Sequence, residues 1–150
     1  MIIKSFEIEK MDFNKVNKIL LYGKNEGQKK EVIKSISINK NIFFYDEKDI
    51  LENENLFLEN TLSKSLFEEE RFIIINRATD KILKIINLLI EKNIDDIKIV
   101  INSGPLDKKS KLRSLFEKDK KCICIAFYPD NEQTLSRLAS NYIQSKKIPI

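Results

Sequence analysis

The chain has 150 residues and a net charge of +4, and 42% of its residues are hydrophobic. This length suits one domain of ordinary size, and this apolar content excludes a disordered chain. The sequence has no histidine, which excludes catalytic triads that use imidazole and metal sites that depend on it. Its apolar runs are shorter than the roughly 18 residues of a membrane span, and its N-terminus lacks the apolar stretch of a signal peptide. We therefore expect a cytoplasmic protein without a membrane partner.

Apolar runs alternate with amphipathic segments along the chain, and this alternation predicts strands and helices in turn. One amphipathic segment repeats leucine at helical spacing, in Leu51, Leu58 and Leu62, and we expect these residues to face the core. In chain order, the predicted elements are a strand at 17–23, a helix at 25–36, a strand at 41–47, a helix at 51–67, a strand at 71–76, a helix at 80–93, a strand at 96–103, a helix at 106–118, a strand at 122–128 and a helix at 130–146.

The five predicted strands are apolar throughout, as expected where helices cover both faces of a sheet. The last strand contains Cys122 and Cys124, which we interpret as two small buried hydrophobic residues on one side of the strand. The last helix can be capped by Asp130 or Asn131. The sequence therefore predicts one α/β domain over residues 1–150, with three layers and a mainly parallel five-stranded sheet.

In such a fold, a phosphate loop would lie in the turn after the first strand, where the sequence is GKNEGQKKE at 23–31. A P-loop has the pattern G-x-x-x-x-G-K-[ST]: backbone amides wrap the phosphates, the lysine contacts them and the hydroxyl binds magnesium. Here Gly23 and Gly27 are one residue too close together, and Gln28 follows the second glycine where the lysine should stand. Neither Lys29 nor Lys30 is directly followed by a serine or threonine. We interpret Gly23, Gly27 and Lys29 as a degenerate phosphate loop that binds no nucleotide, with both glycines permitting a tight turn.

The third predicted strand lacks the acidic end that organises a metal ion in nucleoside triphosphatases. It ends at Asn76, and the nearest downstream carboxylate belongs to Asp80. The dinucleotide-binding pattern G-x-G-x-x-G is absent as well. We expect a binding module without a cofactor or metal, and not an enzyme. The alternative is a P-loop-like nucleoside triphosphatase with an unusual phosphate-binding loop.

Three segments, taken in their order and spacing, resemble the N-terminal domain of the delta subunit of bacterial DNA polymerase III. They are LLYGKNEG, SLFEEERFIIIN and LDKKSKLRSLFEK, and the resemblance extends from about Lys18 to the end of the chain. It implies an AAA+-like domain of the P-loop NTPase type without a working ATP site, and so neither ATPase nor polymerase chemistry. It also implies a fragment of a longer clamp-loader subunit, with the lid and collar domains absent from these residues.

The resemblance further implies a binding site for the sliding clamp, the beta subunit. In this family a Leu-Phe pair at the tip of a helix enters a hydrophobic pocket on the clamp, and the matching residues are Leu66 and Phe67, preceded by Ser65. The implied function is to bind the clamp and help open it during DNA replication. Other clamp-loader subunits are implied partners, and DNA is reached indirectly through the assembled loader. Ser63 and Leu62 depart from the family pattern, because clamp-binding peptides often carry a glutamine there. Without the resemblance, the Leu-Phe pair would be assigned to the core.

The segment LDKKSKLRSLFEK at 106–118 admits two interpretations. Its basic residues could contact a neighbouring subunit or DNA, or they could form the solvated side of a helix that buries Leu112, Leu115 and Phe116; we favour the solvated helix face. A second basic cluster, KDKK at 118–121, is smaller than the patches typical of nucleic-acid-binding proteins. The basic residues of the first segment are Lys108, Lys109, Lys111 and Arg113.

Overall fold

The structure of the protein is a computed structural model that describes residues 1–10, 12, 16–62, 71–92 and 97–128. Within these residues, six strands form one sheet in the order β1-β6-β2-β5-β4-β3, and all neighbouring strands run parallel. This arrangement confirms the predicted α/β class and parallel sheet, and it corrects the number of strands from five to six. The strands are β1 Ile2–Lys4, β2 Lys18–Gly23, β3 Asn41–Asp46, β4 Arg71–Ala78, β5 Ile97–Ser103 and β6 Cys122–Phe127.

Strand β1 is the one that the sequence prediction lacks. It lies at one edge of the sheet, where Ile3 pairs with Ile125 of β6 and is buried, while Ile2 remains exposed. Three residues are too few to produce a recognisable apolar periodicity. The strand therefore depends on its pairing with β6, which a reading of local sequence does not reveal.

Helices connect the strands and lie on both sides of the sheet. No helix of the described residues is both long enough and apolar enough to cross a membrane. The predicted helix at 130–146, with its cap at Asp130 or Asn131, lies outside the described residues. The α-helices are α1 Glu26–Ile36, α2 Glu47–Glu52, α3 Glu54–Leu62, α4 Leu83–Lys92 and α5 Lys111–Lys118, and short 3-10 helices occupy Ser5–Lys10 and Asp80–Ile82.

The prediction of one helix at 51–67 is wrong, because two helices occupy the described part of this segment. The first helix, α2, already begins at Glu47. It ends at Glu52, and the side-chain Oδ1 of the next residue, Asn53, accepts a hydrogen bond from the backbone N–H of Leu56 and so caps the start of α3. An asparagine favours such local side-chain bonds over a continuous helix, which explains the break.

The sheet separates two apolar layers, because successive side chains on a strand point to opposite faces. In β2, Leu20 faces one layer and Leu21 faces the other. Helices α2 to α5 cover the first layer, and α1 covers the second through Ile33. This arrangement confirms the three-layer architecture. It also confirms the predicted leucine stripe, because the half-buried residues Leu51, Leu58 and Leu62 pack against the first layer.

The two cysteines are buried on one side of β6, as predicted. Both belong to the first apolar layer, and the thiols are free. Burial raises the pKa of Cys122 to about 11 and that of Cys124 to about 12, so both thiols are protonated at neutral pH. Protonated buried thiols are poor nucleophiles and behave as small hydrophobic side chains.

Strand β3 differs from the other strands that were predicted to be covered on both faces. Among the residues that the structure describes, it forms the second edge of the sheet and pairs with β4 alone. Two of its aromatic side chains are exposed, Phe43 at 43% and Phe44 at 63% of their surface. The apolar sequence of this strand resembles that of a central strand, and its edge position follows from the order of the strands in space.

Candidate functional site

The turn between β2 and α1 occupies the place where a phosphate loop would lie. It has two residues, Lys24 and Asn25, between the end of β2 and the start of α1. Gly23 has a φ angle of +120°, and a Cβ atom built on it would lie 2.0 Å from the carbonyl oxygen of Phe127 in β6. Gly23 is therefore required here for its backbone angle and for the close approach of β6, as expected for a glycine at a tight turn.

Gly27 has a different role from the one that the sequence suggested. It lies in the first turn of α1, and a Cβ atom on it would meet a single neighbour, the Oδ1 of Asn25, at an ordinary contact distance of 3.8 Å. The prediction that Gly27 permits a tight turn is wrong, because the helix has already begun at Glu26. The candidate phosphate loop is thus shorter than the spacing of its two glycines indicates.

Several backbone amides of this turn are already hydrogen-bonded within the protein. The Gly23 N–H donates to the carbonyl oxygen of Gly104 at 3.1 Å, and the Asn25 N–H donates to that of Phe127 at 3.4 Å. Asn25 also caps α1, since its Oδ1 accepts from the Gln28 N–H at 3.1 Å. A P-loop requires such amides to point at phosphate oxygens. Here they hold the turn against β6 and the end of β5.

Lys29 is completely buried beneath this turn. Its Nζ donates to the Glu26 carboxylate at 2.6 Å and to the carbonyl oxygen of Ser103, at the end of β5, at 2.8 Å. In a P-loop the lysine extends towards the phosphates. The Lys29 ammonium instead connects α1 to β5, and Glu26 places a negative charge beside it. Of the three residues predicted as a degenerate phosphate loop, Gly23 and Lys29 thus help to close this turn by hydrogen bonds within the protein, whereas Gly27 belongs to α1.

Amide side chains lie near the ends of β4 and β5, where a nucleoside triphosphatase would carry acidic ones. The Asn102 Nδ2 donates to Asn76 Oδ1 at 3.1 Å, which joins β5 to β4 side by side. Arg77, the residue after Asn76 in β4, has a positive φ of 55° and forms an ion pair with Asp46 at the end of β3. These contacts hold the ends of three neighbouring strands together.

The carboxylate of Asp80 caps helix α5. It accepts hydrogen bonds from the Ser110 hydroxyl at 2.6 Å and from the backbone N–H groups of Lys111 and Leu112, both at 3.2 Å. The bond from Ser110 is the main reason why the pKa of Asp80 lies below its usual value. The carboxylate is thereby held at the positive end of a helix, where negative charge is stabilising.

The residues of the LDKKSKLRSLFEK segment divide into two groups. Leu112 and Phe116 are buried and Leu115 is half-buried, which confirms the predicted apolar side of this helix. The helix begins at Lys111 and not at 106, because Ser110 caps it by accepting from a backbone N–H one turn ahead. The basic residues Lys108, Lys109 and Lys111 are exposed, in agreement with a solvated surface.

Arg113 departs from this solvated surface. Its Nε donates to the Glu117 carboxylate at 2.6 Å, and a second guanidinium nitrogen donates to the carbonyl oxygen of Leu106 at 3.0 Å. The guanidinium carbon also lies 5.1 Å from the centre of the Tyr22 ring, within the range of a cation–π contact. The interpretation of Arg113 as a solvated residue is therefore wrong, since three groups hold its side chain against the fold.

The predicted clamp-binding residues, Ser65, Leu66 and Phe67, lie outside the described residues, and so does Ser63. The structure does describe both neighbours of this segment, which we call the 63–70 segment. The guanidinium of Arg71, the first residue of β4, donates to the carbonyl oxygens of Asn60 and Thr61 in α3, at 3.1 and 2.7 Å. Arg71 therefore ties the start of β4 to the last turn of α3, on either side of the 63–70 segment.

Comparison with known proteins identifies a structural relative. No family model matches the chain, and no curated protein matches its sequence. Among solved structures, the Bacillus subtilis DNA clamp loader delta protein (YqeN) superimposes with a TM-score of 0.69 at 17% sequence identity. The match covers 95% of this chain and 48% of that protein, so the chain spans about half the length of its structural relative. The likeness is one of fold. It confirms that the chain resembles a clamp-loader delta protein in its α/β fold, as the sequence suggested.

Proposed function

We propose that this protein is a noncatalytic clamp-loader subunit domain that binds a sliding clamp and helps open it during DNA replication in the cytoplasm. The observation that carries the proposal is the fold shared with a DNA clamp loader delta protein over 95% of the chain. In this proposal residues 1–150 are the clamp-binding domain of the subunit, and other clamp-loader subunits are its partners. DNA is reached through the assembled loader.

The closed turn between β2 and α1 supports a role that does not require ATP. A bound phosphate would have to displace the Lys29 ammonium from Ser103 and compete with the Glu26 carboxylate for the same charge. Moving the buried Lys29 ammonium away from its partners is costly, because it leaves a buried charge without compensation. The domain therefore acts through binding energy, and hydrolysis in the loader is assigned to other subunits.

We assign clamp binding to Leu66 and Phe67, with Ser65 before them. Two large apolar side chains that fill a pocket on a partner form the kind of anchor that dominates interface energies. The Arg71 guanidinium supports this assignment, because its bonds to Asn60 and Thr61 fix the two elements between which the 63–70 segment runs.

The mechanism of opening is differential binding. A ligand shifts a conformational equilibrium by the difference between its affinities for the two states. The domain should therefore bind a clamp with an open or strained interface more tightly than a closed ring. Shifting the ring from mostly closed to mostly open, from 1:99 to 99:1, would require about a 10⁴-fold preference.

Titration calorimetry against the sliding clamp of the same organism tests the proposal. We expect the wild-type chain to bind, and the Leu66→Ala, Phe67→Ala double variant to lose about 100-fold or more in affinity, since each anchor truncation costs about 2 kcal/mol. A matched control is the Leu56→Ala, Phe44→Ala double variant, which removes the same two residue types from exposed positions on α3 and β3. This control should bind as the wild type does.

Thermal unfolding of each variant distinguishes an anchor from a core pair. If Leu66 and Phe67 contact the clamp, the double variant melts close to the wild type. If they belong to the core, the variant loses several kcal/mol of stability, as core truncations do. A double variant that binds the clamp normally would refute the site, and a wild-type chain that does not bind would refute the function.

A further inference from the structure

A cavity with a basic lining opens at the edge of the sheet where the parallel strands begin, which we call the amino edge. Its volume is about 500 Å³, which is within the size range of small-ligand pockets and leaves ample room for a single side chain. The proposed clamp-binding pair does not account for it. The cavity, which we call the basic cavity, is lined by Lys18, Ile90, Asp119, Lys120, Lys121 and Cys122.

The lining favours an anion. Three lysine ammonium groups face one carboxylate, that of Asp119, so the lining carries a net charge of +2. The Asp119 carboxylate accepts the Lys121 backbone N–H at 2.8 Å, which engages it in the turn before β6. Within the described part of the chain, no carboxylate forms an ion pair with Lys18, Lys120 or Lys121.

Lys18 distinguishes this cavity from an ordinary cluster of surface lysines. It is 7% exposed, whereas Lys120 and Lys121 at the rim are exposed. A cation that is largely removed from water interacts more strongly with a bound anion than a solvated cation does, because the local dielectric constant is lower. The cavity thus combines one recessed charge with two charges at its entrance.

The basic cavity lies on the same edge of the sheet as the start of β4, which follows the 63–70 segment. Lys18 of β2 and Ile73 of β4 both pair with Ile99 of β5, so the three residues lie at one level. Strands are about 4.8 Å apart, which places β2 about 10 Å from β4 across the sheet. Arg71, at the start of β4, is two residues from that level. The cavity and the start of β4 therefore lie close together on the amino edge.

We propose that the basic cavity receives an acidic side chain of the clamp, as a second contact beside Leu66 and Phe67. This inference rests on the proposed function. A carboxylate side chain is complementary to the net positive charge of the lining and fills only part of the cavity volume. Charges at an interface chiefly increase the rate of association and fix the orientation of the partner. The apolar pair supplies most of the affinity, and the basic cavity sets the approach and register.

The test is a charge reversal with a matched control. The Lys120→Glu, Lys121→Glu double variant should bind the clamp about tenfold more weakly at low salt, mainly through slower association, and its affinity should depend less on salt. The control is Lys108→Glu, Lys109→Glu, which makes the same charge change in the exposed turn before α5, where β5 has already ended. This control should stay within about twofold of the wild type, as expected for solvated charges. Surface-based kinetic measurements over a range of salt concentrations give both quantities.

A second variant tests the recessed charge. Lys18→Met keeps the aliphatic stem and removes the ammonium, and we expect faster dissociation of the clamp with an unchanged melting temperature.

If the lysine variants bind like the wild type while the Leu66→Ala, Phe67→Ala variant does not bind, the cavity inference is overturned and the proposed function stands. If the wild type itself fails to bind, both are overturned. The lysine substitutions could instead weaken the binding of a labelled single-stranded oligonucleotide and leave clamp binding unchanged. In that case the cavity contacts nucleic acid, and the inference is wrong.

Discussion

Gly23 and Gly27 are four residues apart, and the fold uses them in opposite ways. Alanine at position 23 would place its Cβ 2.0 Å from the Phe127 carbonyl oxygen at a φ of +120°, so we expect Gly23→Ala to destabilise the protein by about 3 kcal/mol or more, or to prevent folding. Alanine at position 27 has space within α1, and we expect Gly27→Ala to stabilise by about 0.5–1 kcal/mol. Urea denaturation of both variants measures these changes. Equal effects of the two substitutions would contradict the structure of the turn.

The Asp80 carboxylate gives a prediction about pH. Its pKa in the folded protein is lowered, mainly by the Ser110 hydroxyl, so its contribution to stability is present above the ordinary pKa of about 3.9 and is lost as pH falls through the lowered value. We expect Asp80→Asn to cost about 0.5 kcal/mol at pH 7, because the amide keeps an oxygen acceptor but removes the negative charge at the start of α5. The difference between variant and wild type should shrink below pH 4. Denaturation curves at pH 7 and pH 3 test this, and a difference that grows in acid would contradict the assigned role.

At the level of elements, the turn between β2 and α1 predicts that nucleotide leaves the stability of the protein unchanged. A nucleotide at 100 times its Kd would stabilise the folded state by about 2.7 kcal/mol. We expect no shift in Tm on adding ATP and magnesium, because Lys29 and the amides of the turn are bonded within the protein. Differential scanning fluorimetry makes the measurement.

The control for this prediction compares two adjacent lysines. Lys29 is buried and Lys30 is exposed, so Lys29→Met and Lys30→Met remove the same charge from different environments. A nucleotide shift that appears in the wild type and disappears in Lys29→Met, but persists in Lys30→Met, would show that the buried lysine contacts phosphate. That outcome would favour the nucleoside triphosphatase alternative.

The sequence predicts some elements better than others, for physical reasons. The central strands β2, β4 and β5 are long apolar runs, which burial on both faces produces, and the prediction locates them well. The break at Asn53 and the start of α5 depend on single capping side chains within otherwise helical sequence. Strand β1 depends on pairing with β6, more than 100 residues later in the chain. Such distant contacts leave little trace in local periodicity.

On the scale of the whole molecule, the side of the sheet where the parallel strands end differs from the amino edge, where they begin. At the edge where the strands end, the Lys29 ammonium, the pair of Asn76 and Asn102, and the pair of Arg77 and Asp46 bond neighbouring elements to each other. The amino edge instead carries the basic cavity, beside the start of β4. Open α/β sheets commonly bind ligands at the carboxyl ends of their strands, whereas the clamp contact that we propose lies at the opposite ends.

The candidate sites differ in how far the sequence could reveal them. Leu66 and Phe67 come from a family resemblance, since a Leu-Phe pair by itself has no distinctive periodicity. The closed phosphate loop could be inferred in part, because the spacing of Gly23 and Gly27 already departs from the P-loop pattern. The basic cavity could not be predicted, since Lys18 and the KDKK cluster at 118–121 are about 100 residues apart and meet through the pairing of β2 with β6.

The central claim, which we propose above, is that this domain binds a sliding clamp without nucleotide. The most direct measurement is titration calorimetry of the wild-type chain against the clamp, first without nucleotide and then with ATP and magnesium. The account predicts saturable binding with the same Kd under both conditions. Binding that requires ATP, or an absence of binding under either condition, would contradict it.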